Sequence, residues 1–299
     1  MKHLQQIFTI VVIGMFFIAG CKDDDPLTAA DSSALFEDAA ETIATAMGDE
    51  SGGAVDSYAD IMNVAGGGSF SVTLAKTSGT EIVTAGNPVY DSVSGWWTVT
   101  VDRSRSNMMT SASIQREYRF QFQKNGVVQK FRITGADTAT TMKFRIVSGS
   151  GYFSGPRVKH HLTDLKGAWT VTDLNRDTVT LNSDTVYVRS GVDSIITRNM
   201  LRTFTHTLNI TKMTDVRGPR FRFGRDNYTQ WRNNFSKAVS GTVEGTFKAT
   251  ITFQNGDLYR ERSIDRTFVV TFGGGDGNIS FGGDGRKFSC DLGSGQRKP

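Results

Sequence analysis

The residues that could carry chemistry are few, and their spacing narrows what that chemistry could be. The chain has two cysteines and four histidines. Past the first twenty residues only His160, His161, His206, Cys21 and Cys290 remain of these types. His160 and His161 are adjacent, and neighbours on a strand point to opposite faces, which argues against joint chelation of one metal. His206 lies among Phe204, Leu208 and Ile210, a placement that predicts a core histidine with its hydrogen bonds satisfied. No zinc-protease, Cys-x-x-Cys, nucleophile-elbow, phosphate-loop or dinucleotide motif occurs. Catalytic residues, metal ligands and cofactors are therefore not expected. Scattered carboxylates could still assemble a hydrolase site, because such pairs need proximity rather than sequence spacing.

Two further patterns invite a ligand and are weighed against plainer readings. Gly273-Gly274-Gly275-Asp276-Gly277 and Gly282-Gly283-Asp284-Gly285 have the Gly/Asp composition of calcium-binding turns. Their register fails, since Ile279 and Lys287 stand where a β-roll needs a carboxylate, and hairpin turns account for them better. Arg217, Arg220, Arg222, Arg225 and Arg232 interleave with Phe221, Phe223, Tyr228 and Trp231. That could form a patch for acidic glycans or headgroups, but Arg220-Phe221-Arg222-Phe223 reads first as a half-buried strand with a charged outer face. Trp96, Trp97, Trp169 and Trp231 could stack on sugars, but near strand starts they are expected in the core.

The start of the chain is a targeting signal. Lys2 and His3 precede an apolar run from Ile7 to Ala19, too short for the roughly 20 residues that a membrane-spanning helix needs. A short apolar run behind a basic head and before small residues is a secretory segment removed on maturation. Ile18-Ala19-Gly20-Cys21 resembles the lipobox of bacterial lipoproteins, which implies cleavage before Cys21 and a lipid on its sulfur. Several acyl chains together give stable anchoring, at about 0.8 kcal/mol per buried CH₂. The following Lys22-Asp23-Asp24-Asp25-Pro26 resembles the acidic tether of surface-exposed lipoproteins of the Bacteroidetes type. The expected address is the outer membrane, anchored by lipid and displayed at the cell surface, with a periplasm-facing anchor as the alternative. Asp91-Ser92-Val93, Asp137-Thr138-Ala139, Asp177-Thr178-Val179, Asp184-Thr185-Val186 and Asp193-Ser194-Ile195 resemble the O-glycosylation motif of exported proteins of that lineage. With Cys21 lipidated, Cys290 has no intrachain partner, so the fold must rest on packing rather than disulfides. Removing residues 1–20 leaves a net charge of about +3, too balanced to suggest nucleic acid as a partner.

The elements that must position these residues follow from periodicity. After the signal (1–20) and tether (21–30), residues 31–66 read as helical. Phe36, Ala40, Ile43 and Met47 recur at helical spacing, with Asp31, Ser32 or Ser33 as caps and Gly48 as a stop. A shorter helix is predicted from Ala54 to Val64, before Gly66-Gly67-Gly68. Residues 67–299 change to a period of two. Tyr118, Phe120 and Phe122 alternate with polar residues, as do Phe204, His206, Leu208 and Ile210, and Phe247, Ala249, Ile251 and Phe253. Such runs predict antiparallel strands with one dry face, and Asn125-Gly126 and Asn255-Gly256 mark tight hairpins. The expected fold is mainly β: a large curved antiparallel sheet, open barrel or sandwich built as a meander, with a short N-terminal helical segment. Gly95 to Thr100 is echoed by Gly167 to Thr172, so two related halves with a boundary near 155–166 stand beside the plainer account of shared strand chemistry. The expected role is non-catalytic, a binding or structural protein of the envelope held to the membrane through Cys21. Its partners would be another envelope protein, polysaccharide or an apolar ligand. The alternative is a carrier of lipid in the curved sheet, which requires an interior cavity that side chains do not fill.

Overall fold

The computed structural model describes residues 29–67, 72–76, 79–134, 136–196, 201–255, 258–283 and 285–298. Cys21 and its tether, Gly68, Gly256 and Asp284 lie outside them. Residues up to Glu37 form one unit and Asp38–Pro299 the other; the architecture that follows is that of the second.

Helix α1 (Ala29–Met47) ends at Gly48, as its sequence predicts, and starts before Asp31, so Asp31 to Ser33 fall inside it instead of capping it. Helix α2 (Ala54–Ala65) follows after one turn and stops where Gly66 sends its amide back to Met62 and Asn63. Gly67 then takes the left-handed φ that glycine tolerates.

The rest is one sheet. Its antiparallel path runs β1 (Val72–Lys76), β2 (Gly79–Ala85), β4 (Trp96–Ser106), β5 (Ser111–Lys124), β9 (Thr141–Ser154), β10 (Val158–Thr172), β11 (Thr178–Ile196), β12 (Leu201–Pro219), β13 (Ser240–Asn255), β14 (Leu258–Gly273), β15 (Asp276–Phe281), β16 (Lys287–Asp291) and β17 (Gln296–Arg297). The short β3 (Val89–Asp91) pairs with β4 and β6 (Val127–Gln129) with β5, while β7 (Ile133–Thr134) and β8 (Asp137–Thr138) make a separate ribbon. This is the mainly β meander with N-terminal helices that the periodicity predicts, and the sheet is not closed. Asn125 and Gly126 both take positive φ in the β5–β6 turn, as an Asn-Gly hairpin requires. Gly274 and Gly275 form the β14–β15 turn, consistent with hairpin chemistry rather than a calcium loop.

Two readings of the sequence need correction. The β region also contains a helix, α3 (Tyr228–Ala238), opened by Asn227, whose side chain accepts from the Gln230 amide. Arg220 to Phe223 is not a strand: Phe221 is buried, Phe223 is exposed, and Arg222 is tied to Asp226 in the turn before α3. Gly155 to Arg157 turn β9 into β10, and the echoed segments lie at the start of β4 and at the end of β10.

The sheet curls around α2. Every residue of this helix is buried. Side chains from β4, β5 and β11 and from α3 reach the segment 49–60, and the backbone of Asp49 and Glu50 bonds to Leu292 and Gly293 beyond β16. Elements from near both ends of the strand order therefore meet one short stretch of chain, which requires strong curvature.

Candidate functional site

Alternation on the strands puts two polar groups of residues on the inner face among aliphatic and aromatic neighbours. The first surrounds α2. Asp56 and Asp60 are four apart and so share one face of the helix. On β4, Arg103 and Arg105 continue the inward row of Val99 and Val101. On β5, Arg116 and Tyr118 continue that of Ile114. Arg103 contacts both Asp56 and Asp60, and its Nε lies 3.0 Å from Glu81 of β2. Arg105 is 2.6 Å from Asp56 and 2.8 Å from Glu81, and also donates to the Asp49 carbonyl. Arg116 is 2.8 Å from Asp56, and its other terminal nitrogen donates to the Gly52 carbonyl at 2.8 Å. Arg232 of α3 bonds Asp49 at 2.7 Å and Asp56 at 2.6 Å. The Tyr118 hydroxyl donates to Asp60.

Four carboxylates and four guanidiniums thus balance in a dry interior. Burial alone would raise the Asp56 carboxyl, but Arg103, Arg105, Arg116 and Arg232 outweigh it and hold it well below its ordinary range. Burial would conversely lower Arg103 and Arg232, yet the carboxylates around them push both guanidiniums up. Tyr118 is pushed well above the usual phenol range by burial. Tyr58 on the other side of α2 packs edge-on against Trp169 and Phe272. Trp169 is a core residue, as expected.

The second group lies on β10, β11 and β12. His160 stands directly across from Asp193, and its Nδ1 meets the Asp193 carboxylate. Two residues along each chain, Gly191 stands opposite His206. A Cβ on Gly191 would come within 2.8 Å of His160 Cε1, so this glycine leaves the space in which the two imidazoles approach. Their centroids are 5.5 Å apart. One ligand atom each from His160, Asp193 and His206 can be chosen so that all lie within 4.8 Å of one another, and all three residues are buried. Burial lowers His206 to about 4 and depresses His160 despite the neighbouring carboxylate. Burial would raise Asp193, but the charge of His160 and its hydrogen bond bring it below the ordinary value. Arg189, fully buried two residues before Gly191, donates to the Gly52 carbonyl at 2.8 Å and links the two groups.

His161, as the strand geometry predicts, points outward and is exposed. His206 is in the core, but the expectation that it is satisfied is not met: neither ring nitrogen has a hydrogen-bond partner. The basic-aromatic cluster is divided, with Arg232 inside the ion network while Arg217 pairs at the surface with Asp215. Cys290 is a free thiol in the core. On the outer face, Thr205, Thr207, Lys248, Thr250, Ser263 and Asp265 line a depression of roughly 370 Å³. No described helix is long and apolar enough to cross a membrane.

No family model, curated protein or solved structure matches the chain.

Proposed function

We propose that this chain is a lipid-anchored protein of the bacterial cell envelope with a binding or structural role and no catalysis. The address rests on the lipobox ending at Cys21 and on the acidic tether behind it. Display at the outer surface is the reading the tether favours. The role rests on one observation above all: the inner face of the sheet is occupied by α2, twelve residues long and buried throughout. A carrier of lipid needs that space. The carboxylates that a hydrolase would need are tied to guanidiniums at salt-bridge distance around Asp56, which suits a structural pillar better than an acid–base pair. Outside, the strands offer rows of Thr, Lys, Arg and Ser and a shallow depression of mixed lining, a surface fit for polysaccharide or another envelope protein.

Organic extraction of the purified protein followed by mass spectrometry tests the role. Acyl chains attached only to Cys21 are the expected result. Lipid in stoichiometric amount beyond that anchor overturns the reading in favour of a carrier. Replacement of Cys21 by Ser is expected to leave the precursor uncut before residue 21 and to move the protein out of the detergent phase. An unmodified Cys21 in the wild-type mature N-terminus overturns the address.

A further inference from the structure

We propose that His160, Asp193 and His206 bind one divalent first-row transition ion of the zinc type, inside the sheet and independently of any surface ligand. The donor set is two imidazoles and a carboxylate. It suits Zn²⁺, Co²⁺, Ni²⁺ or Fe²⁺; Ca²⁺ and Mg²⁺ prefer all-oxygen shells, and no thiolate is present to select a softer ion.

Three observations carry the assignment. The ligand atoms already lie within 4.8 Å of one another, on three consecutive paired strands that fix their spacing. His206 is 3% exposed and both its ring nitrogens lack a hydrogen-bond partner. A hydrophobic residue would fill that position, between Phe204 and Leu208, without the cost of burying two bare polar atoms. His160 bonds Asp193 through Nδ1 and leaves its Nε2 without a partner as well. A structural His–Asp pair would explain two of the three residues; an ion explains all three.

The surroundings define the charge the site must hold. Arg189 is fully buried on β11, four residues before Asp193, and brings a positive charge to the same strand as the carboxylate ligand. Three protein ligands leave a fourth position for water or hydroxide. The three ligands are sealed from solvent, so the ion enters as the strands close and its binding free energy adds to that of folding.

The test uses the full chain, purified in detergent without a histidine tag and assayed for metal after desalting. About one zinc per chain is expected. Unfolding in chelator and refolding without metal should lower the unfolding temperature, and refolding with Zn²⁺ should restore it. His206→Gln and Asp193→Asn should each lose the metal, while the outward-facing His161→Gln should retain it. Should either buried variant fail to fold, X-ray absorption at the zinc edge of the wild type decides. Imidazole nitrogens at about 2.0–2.1 Å support the site, and a shell without imidazole overturns it. A wild type that refolds without metal, takes up no zinc and shows no shift in unfolding temperature overturns it too. So does equal uptake by His206→Gln.

Discussion

Asp56 is the residue on which most of the interior depends, since four guanidiniums converge on its carboxylate. Asp56→Asn removes that charge and leaves the arginines over-balanced in a dry site, where breaking one side of an ion pair costs roughly 3–5 kcal/mol. Urea unfolding of the variant against wild type measures this. The same residue gives a pH dependence whose sign is fixed. Its folded-state affinity for a proton is lower than in the unfolded chain, so its stabilisation is present above the ordinary carboxylate range and is lost as pH falls below about 4. The difference in stability between wild type and Asp56→Asn should therefore shrink on acidification through that range. A constant difference would show that Asp56 is not ionised in the fold. Cys290 makes a separate prediction. Burial lifts its thiol to about 12, so maleimide should label it in urea and leave it unlabelled in the native protein at neutral pH.

Elements differ in how far they could be read from sequence alone. The strands around Tyr118, Phe204 and Phe247 were legible because a strict period of two over long runs admits no other regular structure. Helix α3 was obscured by the Arg-Phe alternation just before it, although Tyr228, Trp231 and Phe235 fall three and four apart behind the Asn227 cap. The ion cluster left a trace that went unused: Arg103, Arg105 and Arg116 stand on the dry side of their strands, and Asp56 and Asp60 are one helical turn apart. The His–Asp–His group left none, because the register of three strands decides that Asp193 faces His160, and register is set by packing and turns far from those residues. The turn between α1 and α2 carries an element-scale prediction. Gly52 has φ +69°, and a Cβ there would lie 1.6 Å from Ile114 Cδ1. Gly52→Ala should cost roughly 2–4 kcal/mol from backbone strain and overpacking together. Gly126→Ala, with φ +82° and open space around the new methyl group, should cost only the strain, roughly 1–2 kcal/mol. Thermal or urea unfolding of the pair separates the two effects, and equal losses would mean that Ile114 yields freely.

For the whole molecule, the ion network makes α2 the common support of distant strands. A free twelve-residue helix is marginal in water, yet this one cannot be exposed without separating β4, β5 and α3 from its carboxylates. Hydrogen exchange should accordingly find the amides of residues 57–65 among the slowest, opening only with global unfolding. The exposed β4–β5 turn at Met108 and Met109 should exchange early. Early exchange in α2 would mean that the sheet stands without it.

That arrangement also bears on how the chain reaches its native state. Synthesis delivers α2 among the first segments, but Arg232, which bonds its Asp56, lies 176 residues further on. Until α3 has been made, any collapse around the helix would enclose more negative charge than positive, so premature compaction is self-limiting. Loop closures of this length are slow and dominate the barrier. The ion network around α2 therefore cannot close until residue 232 of 299 has been made.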